Sequence, residues 1–351
     1  MKALILGGYS ARMQPSLTFT IPKPLIEFAS KPIIFYQIEA LEAVGVTEVI
    51  LAVNYQAQVM QNFMKEHETR FRINITFSIE TEPLGTAGPL ALARDKLIDD
   101  GSGEPFFVLN CDVFCEEYPF KQLITFHKSH AGEASILVTK NNFETRTNDE
   151  HLPYATIDMD KSTRKVRSFV EKPDPIDGIF KTISAGIYLL NPSILDGIEP
   201  KRTSLEKQVF PTMVADGKVY GLWLKGLFWL DTWLMIDQQN YYMNGLVNHL
   251  RNLRKRWPQK LASGAHIVGD VVVDETAEIG EGCVIGPDVA IGPGCVIEDG
   301  VKISSSAIMH GTRIKEGASV TYSIIGWGSS IGRLAKVENS TMFAINFTVE
   351  V

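Results

Sequence analysis

The sequence predicts two domains of different class in series: an α/β domain on a mostly parallel sheet, then a parallel β-helix of hexapeptide repeats. Two observations predict them. Up to about residue 110, short apolar runs alternate with amphipathic stretches separated by glycine turns, as strands do when crossover helices cover both faces of their sheet. From Ile267 onward, aliphatic residues recur at every sixth position, a period that neither a helix nor a plain strand possesses. A length of 351 residues is enough for both units to bury a core of their own.

Residues 3–6 form the first strand, which runs into Gly7-Gly8 and a polar, turn-rich stretch reaching Pro24. Pro32 opens a helix with Ile34, Ile38 and Leu41 on one face, and Gly45 closes it. Residues 49–53 read as a second strand, 56–66 as a helix and 73–79 as a third strand. The turn Gly85-Thr86-Ala87-Gly88 leads into an alanine-rich helix over 89–97. A fourth strand over 106–109 runs directly into Asn110-Cys111-Asp112. Ligands of such sheets bind beyond the carboxyl ends of the strands, where the loops after Leu6 and Leu109 lie. Residues 235–257 lack proline and carry Met243, Leu246, Val247, Leu250 and Leu253 at helical spacing. Arg251, Arg254, Lys255 and Arg256 fill the last turns, where cations suit the helix dipole, and Pro258 stops the helix. The expected division is an α/β domain over 1–235, a connector helix over 236–262 and the β-helix over 263–351.

The repeat runs through Ile267, Val273, Ile279, Ile285, Ile291, Ile297 and Ile303. It slips by one, resumes at Ile308, Ile314 and Val320, slips again, and resumes at Ile325, Ile331 and Val337. Gly280, Gly286, Gly292, Gly326 and Gly332 each follow one of these residues. A prism with short flat faces has this period, with one inward apolar residue per face and a glycine-tolerant corner after it. A stack of this kind does not bury its own ends, so the expected assembly is a homo-oligomer formed through the β-helix.

A net charge of −7 argues against a nucleic-acid partner but leaves room for a local basic pocket. Cys111, Cys115, Cys283 and Cys295 form no C-x-x-C pair. They read as free thiols in a reducing compartment rather than as zinc ligands. The apolar stretch of residues 3–6 is too short for a signal peptide, and no run approaches a membrane span. A cytoplasmic protein without membrane contact is expected.

Four clusters carry candidate chemistry, each with a plain structural alternative. Gly7-Gly8 with Arg12 and Lys23 suits a phosphate cradle or a simple strand-to-loop turn. Gly85-Thr86-Ala87-Gly88 suits a nucleotide loop or an ordinary turn before a helix. Asp112, with Asp231 far along the chain, suits a Mg²⁺ site or a helix cap. Lys172, between Glu171 and Pro173, suits a phosphate contact or a solvated surface lysine.

Taken in order, further runs decide among these. Residues 1–6 precede Gly7-Gly8, and Ile21-Pro22-Lys23-Pro24-Leu25 follows. Residues 82–95 read E-P-L-G-T-A-G-P-L-A-L-A-R-D, and residues 106–112 end on Asp112. Phe169-Val170-Glu171-Lys172-Pro173, Thr203-Ser204-Leu205-Glu206-Lys207 and Phe228-Trp229-Leu230-Asp231 complete the set. Over essentially the whole chain this set resembles the mannose-1-phosphate guanylyltransferases (GDP-mannose pyrophosphorylases), particularly the eukaryotic catalytic β-type subunit, among the sugar-1-phosphate nucleotidyltransferases. The resemblance implies a Rossmann-like nucleotidyltransferase domain followed by a left-handed β-helix. It implies Mg²⁺-dependent attack of mannose 1-phosphate on the α-phosphorus of GTP, giving GDP-mannose and pyrophosphate for glycoconjugate precursors.

Carried over position by position, Gly7, Gly8, Arg12 and Lys23 would cradle the triphosphate. Gly85, Thr86, Asn110 and Asp112 would line the nucleotide. Glu171, Lys172, Ser184 and Asp231 would face the sugar phosphate, and Asp112 and Asp231 would hold the metal. Arg12, Lys23 and Lys172 are the implied catalytic groups, and a paralogous regulatory subunit is a further implied partner. The chain also departs from the family. Ser10-Ala11 replace a Gly-Thr pair, Gln14 an arginine, and Ser16 is an added residue. Pro153-Tyr154-Ala155-Thr156 replaces a Y-G-V stretch, Ser184 an asparagine and Trp233 a glycine. Two readings follow, an active but divergent enzyme or a catalytically weakened regulatory or scaffolding subunit. The retained Arg12, Lys23, Asp112, Lys172 and Asp231 favour the first.

Overall fold

The computed structural model describes residues 1–7, 21–54, 56–98, 101–140, 155–173, 182–224, 239–342 and the backbone of 233–235. Two compact units emerge, one of Met1–Tyr9 with Gln37–Trp233, the other of Ser10–Tyr36 with Leu234–Val351. In chain order the elements are β1 (Lys2–Leu6), β2 (Glu27–Phe28), β3 (Lys31–Pro32), α1 (Ile33–Glu42), β4 (Glu48–Val53), α2 (Ala57–Glu66) and β5 (Asn74–Ile79). Next come α3 (Gly88–Leu92), α4 (Arg94–Ile98), β6 (Phe106–Asn110), β7 (Val113–Cys115), α5 (Phe120–His127), β8 (Ala134–Lys140), β9 (Thr156–Met159) and β10 (Val166–Val170). β11 (Thr182–Leu190), α6 (Phe210–Ala215), β12 (Val219–Trp223), β13 (Trp233–Met235) and α7 (Gln239–Arg256) lead into the repeats.

The sheet of the first unit has the order β10-β9-β11-β6-β1-β4-β5, with β8 on β11 and β12 on β8. The run β6-β1-β4-β5 is parallel, as the alternation of strands and helices predicts. The sheet as a whole is mixed rather than mostly parallel, because β11 lies antiparallel to β6, β8 and β9. The physical reason is the connection: among the described residues no helix lies between β8 and β11, and a parallel neighbour needs a crossover. Strand residues such as Leu4, Val108, Ile136 and Leu190 are fully buried and form a continuous core with Leu90 and Phe210. The helix predicted over 89–97 is divided at Ala93 into α3 and α4. Met235, predicted as helical, instead ends β13.

In the second unit three parallel ladders close a three-sided β-helix. Val271–Val273, Val289–Ile291, Ser306–Ile308, Ile324–Ile325 and Thr341–Met342 make the first side. Glu278–Ile279, Val296–Ile297, Arg313–Ile314 and Ser330–Ile331 make the second, and Val284–Ile285, Lys302–Ser304, Ser319–Thr321 and Lys336–Glu338 the third. Ile291, Ile297 and Ile303 point inward and are almost wholly buried.

The slips in the repeat have a structural cause. Val273 stands opposite Ile291, eighteen residues on, but Ile291 stands opposite Ile308, seventeen on. The shortened corner is a stack of serines. Ser306 Oγ donates to the Ser304 carbonyl at 2.7 Å and accepts the Ser323 amide at 3.1 Å. Ser323 Oγ repeats the pattern with Thr321 and the Ser340 amide at 2.8 and 3.1 Å. Each buried hydroxyl thus satisfies backbone groups of two successive coils. The other corners turn on Gly282, Gly300, Gly317, Gly294, Gly311 and Gly328, all at φ between +60° and +68°. That is a different set from the glycines that follow the aliphatic residues. Gly280, for example, is needed for room, since a Cβ there would lie 2.4 Å from Asp299 Oδ1.

Candidate active site

The first unit gathers candidate residues at the carboxyl ends of β1 and β6. Gly7 follows β1 and donates its amide to the Ala52 carbonyl at 2.8 Å. β6 ends at Asn110, and Asp112 follows in a tight turn before β7, only 4% exposed. That turn is pinned from outside: the buried Gln37 donates Nε2 to the carbonyls of Asn110 and Val113 at 2.8 and 2.9 Å. The Cys111 amide donates to the Leu6 carbonyl at 3.2 Å, tying the β1 and β6 loops together. Gln37 escaped the sequence reading because a glutamine on an amphipathic helix looks like a solvated position.

β11 approaches the same turn through a bulge. Ser184 pairs with Val138 and Tyr188 with Ile136, so the three residues of β11 between them face only Leu137 of β8. Bulges of this kind re-aim side chains beside active sites. At its centre Gly186 holds φ +69°, and a Cβ there would lie 2.8 Å from Asn110 Nδ2. Only glycine lets the bulge seat against the Asn110–Asp112 turn. Ser184 Oγ accepts the Gly186 amide and donates to the Tyr188 hydroxyl, both at 3.3 Å.

The Gly85–Gly88 loop is locked by a second segment. Gly85, at φ +78°, lies against Thr203, whose carbonyl accepts the amides of Thr86 and Ala87 at 3.1 and 2.9 Å. Thr86 Oγ1 donates to Glu206 Oε2 at 2.5 Å and accepts the Leu205 amide at 2.8 Å. Thr86 therefore shapes the loop with both its hydroxyl and its amide. Glu206 sits in a π-helical turn over Leu205–Val209, a form frequent at functional sites. It also accepts Ser204 Oγ at 2.9 Å and the hydroxyl of Tyr188. Burial first, then the charge of Glu206, raises Tyr188 well above the usual phenol range, so it remains a neutral donor.

Glu206 was legible only as part of a motif; its role needs the hydroxyls of Thr86 and Tyr188 from other segments besides that of the neighbouring Ser204. Replacing Thr86 with valine should leave the Leu205 amide unpaired and remove one donor from Glu206. A loss of about 2–3 kcal/mol is expected, read as a lower urea midpoint at unchanged slope.

Glu171 and Lys172 follow β10, both half-buried. The charge of Glu171 is felt at the Tyr188 phenol. Thr86, Glu171 and Ser184 thus meet around Tyr188 and Glu206, and the Gly186 bulge joins them to Asn110 and the Asp112 turn. Lys172 holds a left-handed φ of +50° directly before Pro173, a conformation costly for any side chain and more so before proline. Lys23 belongs to the second unit, where it opens a 3₁₀ turn over Lys23–Leu25. Gly8, Arg12 and Asp231 lie outside the described residues, as do the departures at Ser10, Ala11, Gln14, Ser16, Pro153 and Tyr154 and the side chain of Trp233.

Residues 2–233 match the family model described as nucleotidyl transferase, and residues 267–351 match the GMPPB C-terminal domain. The chain is similar to mannose-1-phosphate guanylyltransferase 1 of Arabidopsis thaliana, at 57% identity over 97% of this chain and 90% of that protein. It is similar also to the mannose-1-phosphate guanyltransferase of Schizosaccharomyces pombe, at 46% identity over 99% of this chain and 92% of that one. Among solved structures it resembles HddC from Yersinia pseudotuberculosis complexed with GMP-PN. The TM-score is 0.53 at 25% identity, covering 70% of this chain and 97% of that chain.

Proposed function

The chain belongs to the nucleotidyl transferase family, in its mannose-1-phosphate guanylyltransferase branch, and from that premise we propose that it transfers GMP from GTP to mannose 1-phosphate, releasing pyrophosphate. The observation that carries this reading is the connected set around Glu206, Tyr188 and the Gly186 bulge, which joins nucleotide-side and sugar-side candidates. Direct displacement needs no covalent nucleophile. The task of the chain is to align two phosphorylated reactants and offset their charge. In our assignment Gly7, Gly8, Arg12 and Lys23 take the triphosphate, while Gly85, Thr86 and Asn110 border the guanosine. Glu171, Lys172 and Ser184 take mannose 1-phosphate, with the Lys172 ammonium as a point charge on its phosphate.

The family uses a divalent cation, and we assign Mg²⁺ to Asp112 and Asp231. Asp112 fits such an ion, being a buried carboxylate at the sheet edge where phosphates arrive. Among the described residues no three ligating side chains cluster, which suits an ion that takes one or two carboxylates and fills its shell from substrate phosphates. When bound, the ion neutralises charge on the phosphate oxygens.

We place this work in the cytoplasm, in an oligomer built through the β-helix. In support, no helix among the described residues is long and apolar enough to cross a membrane, and the four cysteines are free and buried. The deciding assay is pyrophosphate release from GTP and mannose 1-phosphate with Mg²⁺. Turnover that EDTA abolishes and that ATP supports far less well is expected. A folded protein without turnover would instead be a non-catalytic subunit.

A further inference from the structure

Glu27 is a carboxylic acid that the reaction does not use, yet it is 3% exposed and built into the second unit. Its carboxyl oxygens lie 3.0 and 3.3 Å from the His310 amide, which donates to them. Gly292, on the preceding coil, supplies the room: a Cβ there would lie 2.5 Å from Glu27 Oε2. Trp327, on the following coil, closes the notch, with its indole near enough to favour the ionised carboxyl and its ring 5.7 Å from His310. The backbone is held as well. Tyr242 of α7 donates its hydroxyl to the Glu27 carbonyl at 2.8 Å, and Tyr36 donates to the Phe28 carbonyl at 2.9 Å.

This grip is needed, because the β2–β3 hairpin is strained. Its turn residues, Ala29 and Ser30, hold φ of +48° and +68° without being glycine, a conformation that persists only when surrounding contacts dictate it. Four residues upstream of Glu27 stands Lys23. Its carbonyl accepts the Ile26 amide at 3.2 Å, and Leu25, Ile26 and Phe28 are buried around it.

We propose that Glu27 is a positioning residue: seated in the notch between Gly292, His310 and Trp327, it clips the Lys23-bearing segment to the β-helix, so that the β-helix acts in nucleotide binding as well as in assembly. This rests on the assignment of Lys23 to the triphosphate.

The clip also carries a pH signature. Burial pushes the Glu27 carboxyl up to about 8, against the His310 amide and the Trp327 indole, and Asp274 pushes it further up. The other groups facing it are Tyr242 and Cys295, with Tyr36 beside Tyr242 and His249 against Phe28. Tyr242 and Cys295 are themselves held neutral by burial. A raised carboxyl stabilises the seated form fully below its ordinary value of 4.5, and this stabilisation is lost as pH rises to about 8. Each pH unit in that window shifts the balance about tenfold toward release.

The test uses the full chain. kcat and KM for GTP and for mannose 1-phosphate are measured from about pH 6 to 9 in the wild type, Glu27→Gln, Glu27→Ala and Lys23→Ala. Glutamine keeps the shape and is neutral at every pH. Glu27→Gln should match the wild type near neutrality and hold its kcat/KM for GTP where the wild type declines. Glu27→Ala should lose about tenfold in kcat/KM for GTP, with a much smaller loss for the sugar phosphate. An alkaline decline identical in the wild type and Glu27→Gln overturns the clip, even if the alanine variant does not fold. So does a folded Glu27→Ala with wild-type kinetics while Lys23→Ala is impaired. If Lys23→Ala itself is unimpaired, the triphosphate assignment falls, and the clip with it.

Discussion

Replacing Asp112 with alanine should lower kcat by about a thousandfold, near 4 kcal/mol of transition-state stabilisation, and leave the protein folded. The expectation of a sound fold is local. The turn that carries Asp112 is fixed by Gln37 on the Asn110 and Val113 carbonyls and by the Cys111 amide on Leu6, all of which the substitution leaves intact. The melting temperature should therefore move by no more than a few degrees. Asp112→Asn separates charge from shape. If the carboxylate holds Mg²⁺, asparagine should be nearly as inactive as alanine, and residual turnover should need much more Mg²⁺. Near-normal turnover in either variant would remove Asp112 from the metal site.

The parts of this protein that repeat, or that obey a local rule, were the legible ones. The six-residue period of Ile285, Ile291 and Ile297 announces a prism because each coil restates it. The slips looked like noise, yet Ser306, Ser323 and Ser340 stand seventeen apart in plain view, and only the stacked hydroxyls explain why each of those coils is a residue shorter. Strand direction was hidden for a different reason. The run of β11 is apolar on both faces, and such a run reads alike whether parallel or antiparallel.

The candidate site divides the same way. Asp112 and Gly7 were readable because a strand delivers them to the sheet edge. Glu206, Tyr188 and Gln37 were not, because their meaning lies in partners far off in sequence: Thr86 and Glu206 are 120 positions apart. Ser184, a departure from the family pattern, proves to be bonded within its bulge to Gly186 and Tyr188. Part of its work is therefore to hold backbone.

Replacing Lys172 should cost about a hundredfold in kcat/KM for mannose 1-phosphate, near 2.7 kcal/mol, while KM for GTP changes little. The geometry offers a way to divide charge from backbone. Lys172 sits at φ +50° before Pro173, where sterics favour an extended residue, so the surrounding structure holds the ammonium in place at the expense of stability. Alanine removes the ammonium and keeps the strain. Glycine removes both, since it enters the left-handed region without a Cβ penalty. Lys172→Gly should thus be more stable than Lys172→Ala by about 1 kcal/mol, visible as a higher urea midpoint, while the two lose activity alike. Equal activities would locate the function in the ammonium. A glycine variant much the weaker of the two would locate it in the rigidity of the Glu171–Pro173 backbone. Losses that fall equally on GTP and mannose 1-phosphate would contradict both, because a residue on the sugar side has no reason to weaken the nucleotide.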